Sequence, residues 1–331
     1  MPESDDDTPA CGRIGVMLPR DLPVRDMLPF ARRAEELGFD QVWVVEDLGW
    51  RGGIAQAGPV LASTTSITVG IGIMPAGARN VCFAAMELAT LAQLYPGRLI
   101  AGVGHGMPDW MRQAGAWPAS PLTLIKEYTT ALRLLIRGKP GPAGGRYVRC
   151  EGVVITETPD IVPPVILGVR GPKSQAAAGE VADGLLLAEP AAPAYINSSL
   201  QHMNGAPHTG SPEVVTYDAA AVDDNEDAAV ARVRNGLTSV GEPAWAAHID
   251  PLPFAAQLRE HRAACADARR FAQTMPADWV RRLSITGTPA QAREAIKARH
   301  AAGATSVVLT PTGPDALASL DSLARVLDPR P

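Results

Sequence analysis

Only four cysteines occur in 331 residues, and none is paired by spacing. Cys11, Cys82, Cys150 and Cys265 are scattered, which fits neither a zinc site nor a disulfide framework. Each is expected to be a buried or incidental thiol. The six histidines form no HxH or HExxH arrangement, so no metal site is expected. No apolar run approaches the length of a membrane span. Positive charge is not in excess either. The net charge of -5 argues against nucleic acid or an acidic membrane surface as the main partner. The opening residues MPESDDDTPA are acidic and polar, unlike a signal peptide. A disordered acidic tail is therefore expected over 1–11, with the cytoplasm as location. Internal repeats and low-complexity linkers are also lacking, so 12–331 is expected to form one domain.

What is present describes an ordinary globular protein with a sizeable core: 46% apolar and 20% charged residues. The length suits one α/β barrel. The stretch from Ser66 to Met107 organises the chain. Ile67 to Ile73 is a β-branched run that ends among glycines. Phe83, Met86, Leu88, Leu91 and Leu94 recur close to helical spacing across Val81 to Leu94. Leu99 to Val103 is apolar again and opens into Gly102-Val103-Gly104-His105-Gly106. Two apolar strands joined by such a helix make one βαβ unit of a buried parallel sheet.

The same rhythm runs through the rest of the chain. Strands are expected at Arg13 to Leu18, Gln41 to Val45, Val165 to Leu167, Leu185 to Leu187, Val214 to Tyr217, Leu283 to Thr286 and Ser306 to Leu309. Helices are expected at Val24 to Leu37, Leu122 to Ile136, Ser174 to Ala182, Pro289 to Ala302 and Pro311 to Leu327. Tyr147 to Cys150 and Val153 to Thr156 read as an inserted hairpin. The alanine-rich stretch near 223–280 reads as a helical excursion with breaks at Gly241, Pro243, Pro251 and Pro253.

Strand ends in parallel α/β folds carry the sites. Glu46 and Asp47 follow the second strand, where carboxylates also serve simply to start a helix. Gly104 and His105 sit in a glycine loop after the fourth, where an imidazole suits acid–base work or donation to a phosphate. Gly168-Val169-Arg170-Gly171-Pro172-Lys173 follows the fifth. There glycines free the backbone, Pro172 suits a first helical turn, and helix N–H groups attract phosphate beside two cations.

The chain resembles the luciferase-like flavin- or deazaflavin-dependent oxidoreductases, and most of all their branch similar to methylenetetrahydromethanopterin reductase. The resemblance rests on Gly70-Ile71-Gly72, Pro75 to Arg79, Ala84 to Leu94, Gly97-Arg98 and Gly102 to Gly106, taken in order. Further support comes from "WVVED", from Gly171-Pro172-Lys173 with Gly179 to Gly184, and from Gly287-Thr288-Pro289 with Gly303 to Leu309. It implies a single (β/α)8 TIM barrel with insertions. It implies coenzyme F420, or alternatively FMN, with the ring against a cis, non-proline Gly72-Ile73 bond and the phosphate near Gly168 to Lys173. Glu46 and Asp47 become proton-relay candidates, His105 an acid–base candidate, and Arg79 a contact to an anionic cofactor or substrate. The chain departs from the family at Asp47, where a histidine is common, and across Ala76 to Asn80, which keeps the arginine alone. The activity implied is hydride transfer with a small organic substrate. The alternatives are a monooxygenase using reduced FMN and oxygen, or a barrel that only binds a ligand. Relatives of this kind are often homodimers.

Overall fold

The computed structural model describes residues 12–204 and 211–328. The acidic tail expected over 1–11 lies outside the described residues. Among the described residues nine parallel strands are present: β1 (Arg13–Met17), β2 (Gln41–Val44), β3 (Thr68–Pro75), β4 (Leu99–Gly104), β5 (Val165–Gly168), β6 (Gly184–Leu187), β7 (Glu213–Val222), β8 (Ile285–Gly287) and β9 (Ser306–Pro311). The helices that follow β1 to β4 are α1 (Val24–Leu37), α2 (Gly53–Ser63), α3 (Val81–Leu94), α4 (Pro108–Gln113) and α5 (Pro121–Ile136). After β5 and β6 come α6 (Pro172–Val181) and α7 (Pro193–Met203). The excursion holds α8 (Glu226–Val233), α9 (Ala246–Ile249), α10 (Ala255–Ala264), α11 (Ala268–Thr274) and α12 (Ala277–Leu283). The chain then runs through α13 (Pro289–Ala301) and α14 (Ala316–Leu323).

Strands β1 to β7 and β9 pair side by side, and β6 pairs β7 to shut the ring. The result is a closed eight-stranded parallel barrel surrounded by helices. β2 is buried at every position, as a strand covered on both faces must be. Turn chemistry places the helices between strands. Gly38 ends α1 at φ 97°, a conformation that favours glycine. Asn80 caps α3 by accepting from the Cys82 N–H, and Thr288 with Gln291 forms a capping box on α13.

Three corrections follow from the ladder. The stretch expected as a strand at Leu283 to Thr286 is only Ile285–Gly287, and it pairs the far end of β7 outside the ring. β7 continues to Val222, well beyond the expected Tyr217. The inserted hairpin is no ladder. Glu127 on α5 accepts hydrogen bonds from the backbone N–H groups of Arg146, Tyr147 and Val148, which leaves them unavailable for strand pairing.

The extension of β7 explains the excursion. Ala219 and Ala221 present a flat surface on which Val233, Leu237, Phe254, Leu258 and Phe271 pack as a separate core. Each such fully buried side chain contributes about 1.5–3 kcal/mol. Inside the barrel a smaller cluster, Met17, Trp43, Ile100, Ile166, Leu186, Val215, Tyr217 and Val308, fills the axis. Trp43 needs Gly70 opposite it: a Cβ there would lie 2.3 Å from the indole. Among the described residues no helix is long and apolar enough to cross a membrane.

Candidate active site

The filled axis closes the barrel from below, so the only room for chemistry on it is at the strand C-terminal ends. Side chains alternate along a strand, which sorts the residues there. On β2 and its continuation, Trp43 and Val45 join the axial cluster. Glu46 is then directed outward and Asp47 inward.

The hydrogen bonds agree with that alternation. Glu46 accepts from the Gly53 N–H at 2.6 Å, at the start of α2. It also accepts from Arg79 Nη1 and Nη2 at 3.1 and 3.2 Å, a bidentate pair. Glu46 and Arg79 are therefore brought together, but as partners of each other behind the mouth. Asp47 pairs with Arg20 at 2.7 Å. It lies close enough to Tyr217 and Glu189 to act on both electrostatically.

The Gly72-Ile73 peptide bond is cis, as the resemblance implies. The surrounding glycines have a specific task. A Cβ on Gly104 would lie 2.8 Å from Ile73 Cδ1 and Cγ1, and one on Gly168 would lie 2.4 Å from Ile73 Cγ2. On Gly102 it would lie 3.2 Å from Ile73 Cγ2. Gly104 and Gly168 thus do not leave backbone bare for a ligand. They form a bed on which the Ile73 side chain lies across β4 and β5, so Ile73 itself is the surface offered to the mouth. Gly72 is pressed against the Tyr217 hydroxyl, which a Cβ would approach to 1.9 Å.

His105 sits beside this shelf, its Nε2 at 3.1 Å from Ser174 Oγ in the first turn of α6. Burial pushes its pKa below the ordinary histidine value, so the imidazole is neutral at pH 7. Gly171 opens α6, and a Cβ there would meet nothing within 4 Å. Pro172 and Lys173 are exposed and Val169 is buried. Arg170 turns the other way. Its guanidinium lies 4.3 Å over the Trp245 ring, near Met107 Sδ at 3.7 Å.

The mouth holds residues that have no motif in the sequence. Glu189 lies two residues beyond the end of β6, where burial pushes its carboxyl up against the pull of Arg170. Its signal was available: an acidic residue closing the apolar run Leu185 to Ala188, the same cue that marks Glu46 after Val45. Tyr217 is buried with no partner for its hydroxyl among the described residues, and burial with Glu189 and Asp47 nearby keeps the phenol protonated. Trp245 and His248 arrive from the excursion. Trp245 Nε1 donates to the Glu189 carbonyl at 3.1 Å, and His248 Nδ1 lies 3.2 Å from the Pro190 carbonyl. His248 also stacks on Tyr195 at 4.2 Å, and burial followed by Arg170 brings its pKa down to about 3. The excursion therefore fastens one wall of the mouth.

Comparison with known proteins places this geometry in a family. Residues 9–306 match the model of the luciferase-like monooxygenases. The 5,10-methylenetetrahydromethanopterin reductase of Archaeoglobus fulgidus is 23% identical over 96% of this chain and 99% of that protein. The enzyme of the same name from Methanolobus tindarius is 30% identical, over half of each chain only. The coenzyme F420-dependent tetrahydromethanopterin reductase of Methanopyrus kandleri has the same fold, with TM-score 0.78, 22% identity and coverage of 95% of this chain and 98% of that one. With a family match across most of its length, this chain belongs to the luciferase-like monooxygenase family of oxidoreductases.

Proposed function

We propose that this protein is a coenzyme F420-dependent oxidoreductase, transferring a hydride between the deazaflavin and a small organic substrate. The observation that carries the proposal is the Ile73 shelf, a branched apolar side chain bedded on Gly102, Gly104 and Gly168 at the barrel mouth. A flat ring has an apolar face to rest on there. Two further features fit the cofactor. The Tyr217 hydroxyl is a buried donor without a partner among the described residues. The start of α6 is open at Gly171, with Ser174 and the neutral His105 alongside, which suits a phosphate.

When bound, the deazaflavin supplies hydride chemistry. The chain supplies the remainder. Gly72, Ile73 and Tyr217 orient the ring, while His105, Ser174 and the α6 start, with Lys173, hold the phosphate end. Burial pushes the Glu189 carboxyl up, toward the neutral acid, and Asp47, just beyond β2, adds to that push. Trp245 and Arg170 keep water from that side. The alternative is a monooxygenase using reduced FMN and oxygen, which the description of the matching family favours. The two share a scaffold, and fold does not choose between them.

Fluorescence titration of the purified protein with oxidised deazaflavin, and separately with FMN, tests the choice. Saturable binding of the deazaflavin, with FMN at least about tenfold weaker, is expected. Preference for FMN overturns it in favour of the monooxygenase. Binding of neither leaves a barrel without this chemistry.

A further inference from the structure

A cavity of about 380 Å³ lies outside the ring, beside the strand ends and between α3, α5 and the loops at 115–118 and 147–149. Arg79, Trp117, Leu124, Tyr128, Val148 and Arg149 line it, whereas Gly72, Ile73, Asp47 and His105 do not. Its size falls within the range of small-molecule sites.

The walls are built rather than left over from loop packing. Glu127 fixes the 146–148 backbone with three hydrogen bonds of 2.8 to 3.1 Å. The Tyr147 hydroxyl accepts from the Ser120 N–H at 2.7 Å and ties that loop to the start of α5. Gly77 lets the 76–80 turn lie against the other loop, since a Cβ there would be 2.6 Å from the Ala116 carbonyl oxygen.

The chemistry of the lining is specific. Arg149 is exposed and, among the described residues, has no ion-pair partner. Arg79 gives one N–H from each terminal nitrogen to Glu46 and its Nε lies 3.8 Å from Glu87, which leaves the second N–H of each terminal nitrogen. The Tyr128 side chain is fully buried, yet among the described residues its hydroxyl has no hydrogen-bond partner. Burial keeps that phenol protonated, so its O–H is available to an acceptor. Trp117, Leu124 and Val148 provide an apolar body between these donors.

We propose that this cavity is a second ligand site, separate from the barrel mouth, for a small aromatic carboxylate. Its ring lies against Trp117, Leu124 and Val148, and its carboxylate is met by Arg149, Arg79 and the Tyr128 hydroxyl. A cation of the same shape is rejected by the two guanidinium groups.

Calorimetric titration of the full chain with benzoate tests the site, with saturating oxidised deazaflavin present and absent. One saturable event is expected, equal in both conditions. Arg149→Ala is expected to weaken it about tenfold and Tyr128→Phe about fivefold, each with an unchanged circular dichroism spectrum. Leu124→Trp, which fills the cavity, is expected to abolish it, and benzylamine is expected to give no binding. No saturable heat up to about 10 mM benzoate overturns the proposal. So does an affinity unchanged in either the Arg149 or the Tyr128 variant. Displacement of benzoate by the deazaflavin also overturns it, because the ligand would then occupy the mouth.

Discussion

Gly168→Ala is expected to weaken binding of oxidised deazaflavin about thirtyfold, or roughly 2 kcal/mol. The new methyl would lie 2.4 Å from Ile73 Cγ2, on a branched side chain with little freedom to yield. Ile73 must leave its bed, and the surface it offers to the ring goes with it. Overpacking costs about 1–3 kcal/mol of stability as well, so thermal melts accompany the binding assay. Gly144→Ala serves as the control, because its Cβ would meet nothing within 4 Å. It should leave both measurements unchanged. Gly168→Ala with wild-type affinity would show that Ile73 is not the cofactor's seat.

The largest loss of stability is expected from Arg299→Met. Arg299 on α13 meets Asp218 on the outward face of β7 at 2.8 Å, with side chains 2% and 0% exposed. It also donates to the carbonyls of Ala295 and Ser284. Removing one member of a buried pair strands the other, at a cost of about 3–5 kcal/mol. Burial already pushes the Asp218 carboxyl up, against the pull of Arg299. Without the arginine it rises further. An acid whose folded pKa is raised binds more protons folded than unfolded, so stability falls as pH rises above the ordinary carboxylate range. The deficit in urea melts should thus be smallest in acid and grow toward neutrality. Asp218→Asn with Arg299→Met should recover most of it. A deficit independent of pH, or a double variant no better than the single, would mean that lost packing is responsible.

Much of this architecture was legible because it is local. The Ser66 to Met107 unit repeats the signals of a buried βαβ, and β3, α3 and β4 lie where those signals put them. Composition hid other parts. α2 reads GIAQAGPVLAS, whose glycines and proline obscure a helix held by Glu46 and Gln56. The end of β7 reads Asp218-Ala219-Ala220-Ala221, with no β-branched pattern, because small residues there receive the excursion. The candidate site divides the same way. The glycines, His105 and the α6 start are contiguous motifs. Tyr217, Glu189 and Trp245 meet only through barrel closure, and spacing cannot show that. Arg79 was visible, yet its partner Glu46 is 33 residues away and had been assigned to the mouth. Strand alternation from Trp43 and Val45 was enough to turn Glu46 outward, once the inward face was known.

The most direct measurement is a crystal structure of the protein with oxidised deazaflavin. Density for the ring on Ile73, within hydrogen-bond reach of the Tyr217 hydroxyl, with the phosphate at Ser174 and the start of α6, is the predicted result. A ring bound away from Ile73, or a phosphate held elsewhere than the α6 start, would contradict the account of this site.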